Sequence, residues 1–364
     1  MSTIFERLSF TRGPSMKNRF VLAPMTNTQS GDDGVLADEE YKWLTMRAEG
    51  GFGLTMTCAA HVQEIGKGFP GQLGVFSDAH IPGLTRLAAG IKAHDSIAIV
   101  QLHHAGTRSP AELIGETPVC PSDDEETKAR AMTTREVEDL VEDFIAAAVR
   151  CEQAGFHGVE VHGAHGYIIT QFLSAEINQR TDQYGGNLEN RSRILFEILA
   201  GIRRQCGPDF CVGVRLSPER FGMRLGEVVE VAQRLMSGGE IDFLDMSLWD
   251  INKEPEEEAF KGRTLMSCFT DLDRGGVRLG VTGNIRTPQE AERALEAGAD
   301  WVMLGRAAML HHDFPNQYQA NPSFAPVEIP VTREHLHGEG LSDKFLTYIS
   351  WLDGFVVAEE VENA

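Results

Sequence analysis

Within six residues, His162-Gly163-Ala164-His165-Gly166-Tyr167 places two imidazoles and a phenol directly after the apolar run Gly158-Val159-Glu160-Val161. A short strand ending in a glycine-punctuated turn aims its last side chains into a cleft rather than burying them. Paired imidazole N–H groups can stabilise charge developing on a carbonyl oxygen. A nearby phenol can protonate the adjacent carbon. From the local residues alone, a structural histidine pair and a two-ligand fragment of a metal site stay open beside this reading. Further ligands at a recognisable metal spacing are not evident, so no metal is assigned. Tyr167 taken singly reads more readily as a packed aromatic than as an acid.

The elements that must position these residues are legible as alternation. Short β-rich runs alternate with longer helical patterns. The candidate strands are 20–23, 53–57, 98–102, 158–161, 211–216, 243–246, 278–281 and 301–304, each with the near-continuous apolar character of a buried parallel strand. Thr133-Thr134-Arg135-Glu136 is a capping box ahead of a helix with Val137, Leu140, Phe144 and Ala148 on one face. Thr287-Pro288-Gln289-Glu290 repeats the device with a proline at the first helical position. Eight such units predict an α/β fold, a (β/α)8 TIM barrel with its reaction site at the C-terminal ends of the strands. Two connections, 105–132 after the third strand and 247–277 after the sixth, exceed plain turns and read as binding loops or lids. The tail beyond Asp313 is Pro-rich, then helical in pattern over 343–357, and no role is assigned to it.

Other residues could furnish a pocket. Val281-Thr282-Gly283-Asn284 and Met303-Leu304-Gly305-Arg306 each put a glycine just past a strand, at the seventh and eighth positions where barrels commonly hold a phosphate. Simple tight turns are the alternative. Arg215, inside apolar Val212–Leu216, is a buried cation that needs an anionic partner, internal or bound. Gln101 offers a donor and an acceptor at the end of the third strand, and of His103 and His104 one should face the cleft. Thr26, in Pro24-Met25-Thr26, could bond a ligand or cap a turn. A phosphate end, a buried arginine, an amide and a carbonyl grip together suit a flat phosphorylated cofactor beside a small substrate.

Composition narrows the classes. With 364 residues and 42% apolar content the chain can bury a large core, and it is read as one domain over 1–364. A net charge of −21 argues against nucleic acid, which needs a basic face. No run of eighteen apolar residues encodes a membrane span, and Met1–Glu6 does not read as a secretory signal. Six cysteines without a CxxC pair read as reduced thiols of a cytoplasmic protein. Oligomeric state is not encoded legibly.

Five segments resemble the Old Yellow Enzyme family of FMN-dependent ene-reductases, over nearly the whole chain. They are Asn18 to Thr26, Gln101-Leu-His-His-Ala-Gly106, Gly155 to Arg193, Val214-Arg215-Leu-Ser217, and Thr282-Gly-Asn284 with Gly305-Arg306. The third is the most specific. It carries His162, His165 and Tyr167, then Gln171-Phe-Leu-Ser174, Asn178-Gln-Arg-Thr-Asp182 and Glu189-Asn-Arg191. The resemblance implies that Ala23, Pro24, Met25, Thr26 and Ala59 line the flavin ring and that Gln101 bonds its pyrimidine portion. It places Arg215 at the edge where charge accumulates on reduction, and Gly283, Asn284, Gly305 and Arg306 at the phosphate. It assigns the substrate carbonyl to His162 and His165, with His162 also counted among the cofactor contacts, and the proton to Tyr167. His165 stands where many members carry Asn, which marks a His/His subset. The resemblance implies no separate nicotinamide module, so NAD(P)H would bind transiently over the flavin.

The expected reaction is therefore NAD(P)H-dependent reduction of an activated alkene by an FMN barrel. A related dealkylase or a nitro or nitrate-ester reductase is open within the family. A flavin-free phosphate-binding lyase or isomerase would share the phosphate corner, but barrel aldolases need a strand-borne lysine and no candidate strand contains one. A catalytically silent flavin barrel is the third class.

Overall fold

The eight apolar runs close into a barrel in the structure, a computed structural model that describes residues 3–357. Its strands are β1 (Phe20–Leu22), β2 (Leu54–His61), β3 (Ile97–His103), β4 (Gly158–Gly163), β5 (Cys211–Leu216), β6 (Phe243–Ser247), β7 (Arg278–Thr282) and β8 (Trp301–Leu304). All pair in parallel, neighbours in sequence are neighbours in space, and β1 closes onto β8. Both ends of the expected 1–364 span lie outside the described residues. Among the described residues no helix is long and apolar enough to cross a membrane.

Two hydrophobic layers follow from the alternation of side chains along each strand. Outward residues such as Val100, Val161, Val214 and Leu244 join the buried faces of the surrounding helices. Inward residues including Val21, Met56, Ile99, Phe243, Trp301 and Met303 fill the barrel itself. Leu8 and Met16, bonded to each other across a short antiparallel bridge, close the N-terminal end of that inner layer. The barrel is thus a plugged core, open for chemistry only at the other end.

Helix starts follow their sequence signals. Thr133 Oγ1 accepts from the Glu136 amide at 3.2 Å, and the Thr133 amide donates to Glu136 Oε2 at 2.7 Å. The helix Thr134–Gln153 buries its predicted face. Thr287 forms the same reciprocal pair with Glu290 ahead of Pro288–Glu296.

Four expectations need correction. β2 runs to His61 rather than stopping at Thr57, because a bulge between Met56 and Ala59 absorbs an extra residue and lets pairing with β3 resume at Ala59 and Gln101. β1 ends at Leu22: the Ala23 amide still bonds Leu304 O, but Pro24 has no N–H to continue the ladder. The long connections also number more than two, since residues 62–80 lie between β2 and the helix Ile81–Lys92. In the tail, the single helical pattern over 343–357 resolves into Asp343–Tyr348 and a 3-10 turn at Ile349–Trp351, after a separate helix at Arg333–Gly338.

Close packing at mid-barrel makes a specific demand on β7. A Cβ on Gly280 would lie 1.8 Å from Asp245 Oδ1 and 2.0 Å from Trp301 Nε1. Gly280→Ala should therefore destabilise the fold by about 1–3 kcal/mol, the usual cost of overpacking. A denaturant midpoint equal to that of the parent protein would show that this layer can yield.

Candidate active site

The turn after β4 is held in a conformation most side chains avoid. His165 has φ +62° and Gly166 φ +75°. Two anchors hold His165 there: its amide donates to Ser217 Oγ at 3.0 Å, and Arg108 Nη1 donates to its carbonyl at 2.7 Å. Gly166 cannot carry a side chain, because a Cβ would meet the Phe221 ring at 2.8 Å. The strained turn folds His165 back against His162 and starts the helix Ile168–Leu173 at Tyr167.

Backbone donors fix the imidazole tautomers. The Ala164 amide donates to His162 Nδ1 at 3.2 Å, so the proton of neutral His162 sits on Nε2. That nitrogen is 3.3 Å from His165 Nδ1, which accepts, and His165 Nε2 then donates to Ser247 Oγ at 2.9 Å. Ser247 Oγ also accepts from Arg215 Nε at 2.7 Å. Both rings are neutral. Burial, with His165, His103 and Arg215 nearby, holds His162 well below the usual histidine range. Burial, with Arg215 and Arg108, pushes His165 down to about 3.

Tyr167 packs edge-on against His162 and His103, with ring centroids 5.0 and 4.3 Å away. The Arg108 guanidinium lies 4.9 Å from its ring centre. Burial raises the phenol above its ordinary value, Arg108 opposes that, and Tyr348 adds to it. Of the two histidines after Gln101, His103 is the one that faces this corner. Its Nδ1 lies 3.1 Å from Gln72 Nε2, an amide whose orientation is set by Gly68 N and Ala59 O. His104 turns away, accepts from the Gly106 amide at 3.0 Å and packs under Gly66.

Beside this corner opens a cavity of about 520 Å³. It is lined by Ala23, Pro24, Met25 and Thr26 after β1, by His165 after β4 and Arg215 on β5, and by Gly283, Asn284, Gly305 and Arg306 after β7 and β8. The structure brings these predicted residues together. Ala59, Gln101, His162 and Tyr167 lie outside the lining. Ala59 and Gln101 are paired neighbours on β2 and β3, and Gln101 Nε2 is engaged by Glu160 Oε1 at 2.6 Å.

Several lining residues escaped the sequence reading. Ser247 extends the inward set Phe243, Asp245, Ser247, which alternation along β6 could have revealed. Arg286 faces the cavity two residues beyond Asn284, and its charge, after burial, lowers the Arg306 value. Tyr348, Ile349, Trp351 and Leu352 reach the cavity from the tail, where no local signal could have placed them. Trp249 did not escape that reading: the second long loop could bring it to the pocket or pack it elsewhere, and it lines the cavity, held at φ +65°, 48% exposed, with the Arg220 guanidinium 4.3 Å from its ring centre.

Residues 3–322 match the model of the NADH:flavin oxidoreductase / NADH oxidase family. The old yellow enzyme homologue of Zymomonas mobilis superposes with a TM-score of 0.80 at 25% identity, covering 94% of this chain and 99% of that one. The chain belongs to the Old Yellow Enzyme family. It is 36% identical to the probable NADH-dependent flavin oxidoreductase YqiG of Bacillus subtilis, over 84% of this chain and 85% of that protein. It is 33% identical to an NADPH dehydrogenase of Listeria innocua, over 87% and 94% of the two chains. Morphinone reductase in complex with tetrahydroNAD superposes with a TM-score of 0.77 at 27% identity, covering 92% and 94%. As a member of the Old Yellow Enzyme family, this protein is an FMN-dependent oxidoreductase with NAD(P)H as electron donor, which sets aside a flavin-free lyase or isomerase.

The cavity fits that cofactor. Its walls are apolar beside Pro24, Met25 and Met303, as a flat ring requires, and Arg215, Arg286 and Arg306 also line it. Among the described residues no carboxylate pairs with Arg215, and its only hydrogen bond is the one from Nε, so its terminal nitrogens are uncommitted. Among the described residues Arg306 bonds only Asn284 Oδ1, at 3.4 Å, and it shares its surroundings with like-charged Arg286. Two like charges held together without a carboxylate between them suit an anionic group such as a phosphate.

Two outcomes follow. In spectra of nitrogen-labelled protein at pH 5, His162 should appear as the neutral Nε2–H tautomer; an imidazolium there would overturn the hydrogen-bond chain. Arg286→Gln should weaken FMN binding about tenfold, as expected on losing one charge-assisted contact; unchanged affinity in a flavin titration would place Arg286 outside the phosphate contacts.

Proposed function

We propose that this oxidoreductase reduces the C=C bond of α,β-unsaturated carbonyl or nitro compounds. The observation that carries the reading is the corner where two neutral imidazoles and a buried phenol meet, beside a cavity lined by three arginines. FMN, when bound, supplies the hydride taken from NAD(P)H and given to the alkene β-carbon.

The chain's own part is positioning, polarisation and proton delivery. A carbonyl oxygen entering between the rings takes the Nε2–H of His162, which otherwise rests on His165 Nδ1. His165 gives the second donor once its bond to Ser247 is released. Neutral donors suit this role, because they strengthen as charge develops on the oxygen without binding anions indiscriminately in the resting state. Tyr167 gives its proton to the α-carbon, and Arg108 over its ring steadies the phenolate that remains. Ala23 to Thr26, Arg215, Gly283, Asn284, Gly305 and Arg306 hold the cofactor from the cavity wall, with Ala59, Gln101 and His162 behind them. Trp249, Tyr348 and Trp351 form the outer wall that selects the substrate.

The purified protein should be yellow with bound FMN. Tyr167→Phe should leave flavin reduction by NAD(P)H near the parent rate and slow reoxidation by a weakly activated enone by about 10²-fold or more, the usual share of a positioned general acid. Stopped-flow measurement of the two half-reactions separates them. Equal slowing of both would remove Tyr167 from proton delivery.

A further inference from the structure

Two carboxyl groups sit at mid-height inside the barrel, in a place the substrate contacts do not use. Glu160 points in from β4 and Asp245 from β6, and both are fully buried. On β5 between them, Gly213 is in register with Glu160, and Arg215 is in register with Asp245. Each carboxyl has one oxygen engaged. Gln101 Nε2 from β3 donates to Glu160 Oε1 at 2.6 Å, and Trp301 Nε1 from β8 donates to Asp245 Oδ1 at 2.9 Å. On β7, Gly280 leaves room for Asp245 by carrying no side chain.

The other two oxygens, Glu160 Oε2 and Asp245 Oδ2, are inaccessible to solvent and have no donor. Both carboxyls enter the same dry interior, from the two strands that flank β5. Two bare carboxylate oxygens buried in one interior are strongly disfavoured. A single proton between them satisfies both. Among the described residues neither carboxylate is ion-paired with Arg215, so a second negative charge would not be neutralised by contact.

We propose that Glu160 and Asp245 share one proton, donated from Asp245 Oδ2 to Glu160 Oε2, so that the barrel floor holds one negative charge against the one positive charge of Arg215. The pair acts as a positioning group that fixes the field Arg215 presents to the bound flavin, and this second part rests on Arg215 facing the flavin as proposed above. With both carboxylates ionised, the floor would carry net negative charge beneath a cofactor that gains negative charge on reduction. With one proton shared, the floor is neutral overall and the guanidinium stays the nearer charge to the cavity. Burial first, and then Glu160, push the Asp245 carboxyl well above the usual carboxylate range, in keeping with this assignment.

Isosteric amides test the charge count. In Asp245→Asn the amide donates to an ionised Glu160, and in Glu160→Gln an ionised Asp245 accepts from the new amide. Either single variant keeps one negative charge, so the midpoint potential of bound FMN should stay near that of the parent protein. The double variant loses the charge, and its potential should rise. If both groups are ionised in the parent, each single variant will raise the potential by a similar step, and the shared proton is overturned. Infrared spectra of the flavin-free parent protein should contain the C=O stretch of a protonated, buried carboxyl that disappears in Asp245→Asn. Its absence from the parent overturns the proposal without requiring any variant to fold. A band that behaves as expected, with an unmoved potential in the double variant, would keep the shared proton and overturn its link to the flavin. FMN titration of the same proteins reports separately on whether the flavin site itself is correctly read.

Discussion

The cost of burying polar groups inside a closed barrel governs this structure. Gln101, Glu160, Arg215 and Asp245 point into the same interior that Phe243, Trp301 and Ile99 fill from below. All four are buried, so each must find its partner among the others or in a ligand. Gln101 answers Glu160, Trp301 answers Asp245, and Ser247 answers the Nε of Arg215. The terminal nitrogens of Arg215 are left for the cavity. The boundary between apolar plug and reaction site is therefore a polar layer whose hydrogen bonds run out at one face.

From that layer the constraint passes upward to the catalytic turn. Ser247 joins Arg215 to His165, and His165 joins His162, so the orientation of the carbonyl grip depends on the same chain of donors that orients the arginine. The strained backbone of His165 and Gly166 is tolerated because Ser217, Arg108 and the close approach of Phe221 hold it in place. A rigid barrel supplies the strand ends, and the loops supply the clamps.

Charge is distributed against the grain of the composition. The chain carries −21 overall, yet Arg215, Arg286 and Arg306 all face one cavity. Local field, rather than net charge, determines what such a cavity accepts. This is why an acidic protein can present a site shaped for a phosphorylated cofactor.

Much of this was legible in the residues. Buried parallel strands are nearly continuous apolar runs, so all eight could be read in order, and capping boxes at Thr133 and Thr287 placed two helix starts because their hydrogen bonds are local. The motif from His162 to Tyr167 was legible for a similar reason: its members are close in sequence, and a strand end fixes which way they point. The bulge that extends β2 was not legible, since it depends on register with β3. Neither was the placement of Tyr348 and Trp351 at a cavity built from β1, β5 and β8, nor the burial of Glu160 and Asp245 in one interior on either side of β5. These contacts join residues tens to hundreds of positions apart, and nothing in the local pattern encodes them. The sequence by itself determined the elements, their order and the chemistry each strand end carries. Only closure of the barrel decided which of those side chains share a dry interior, because proximity there is a property of three-dimensional packing.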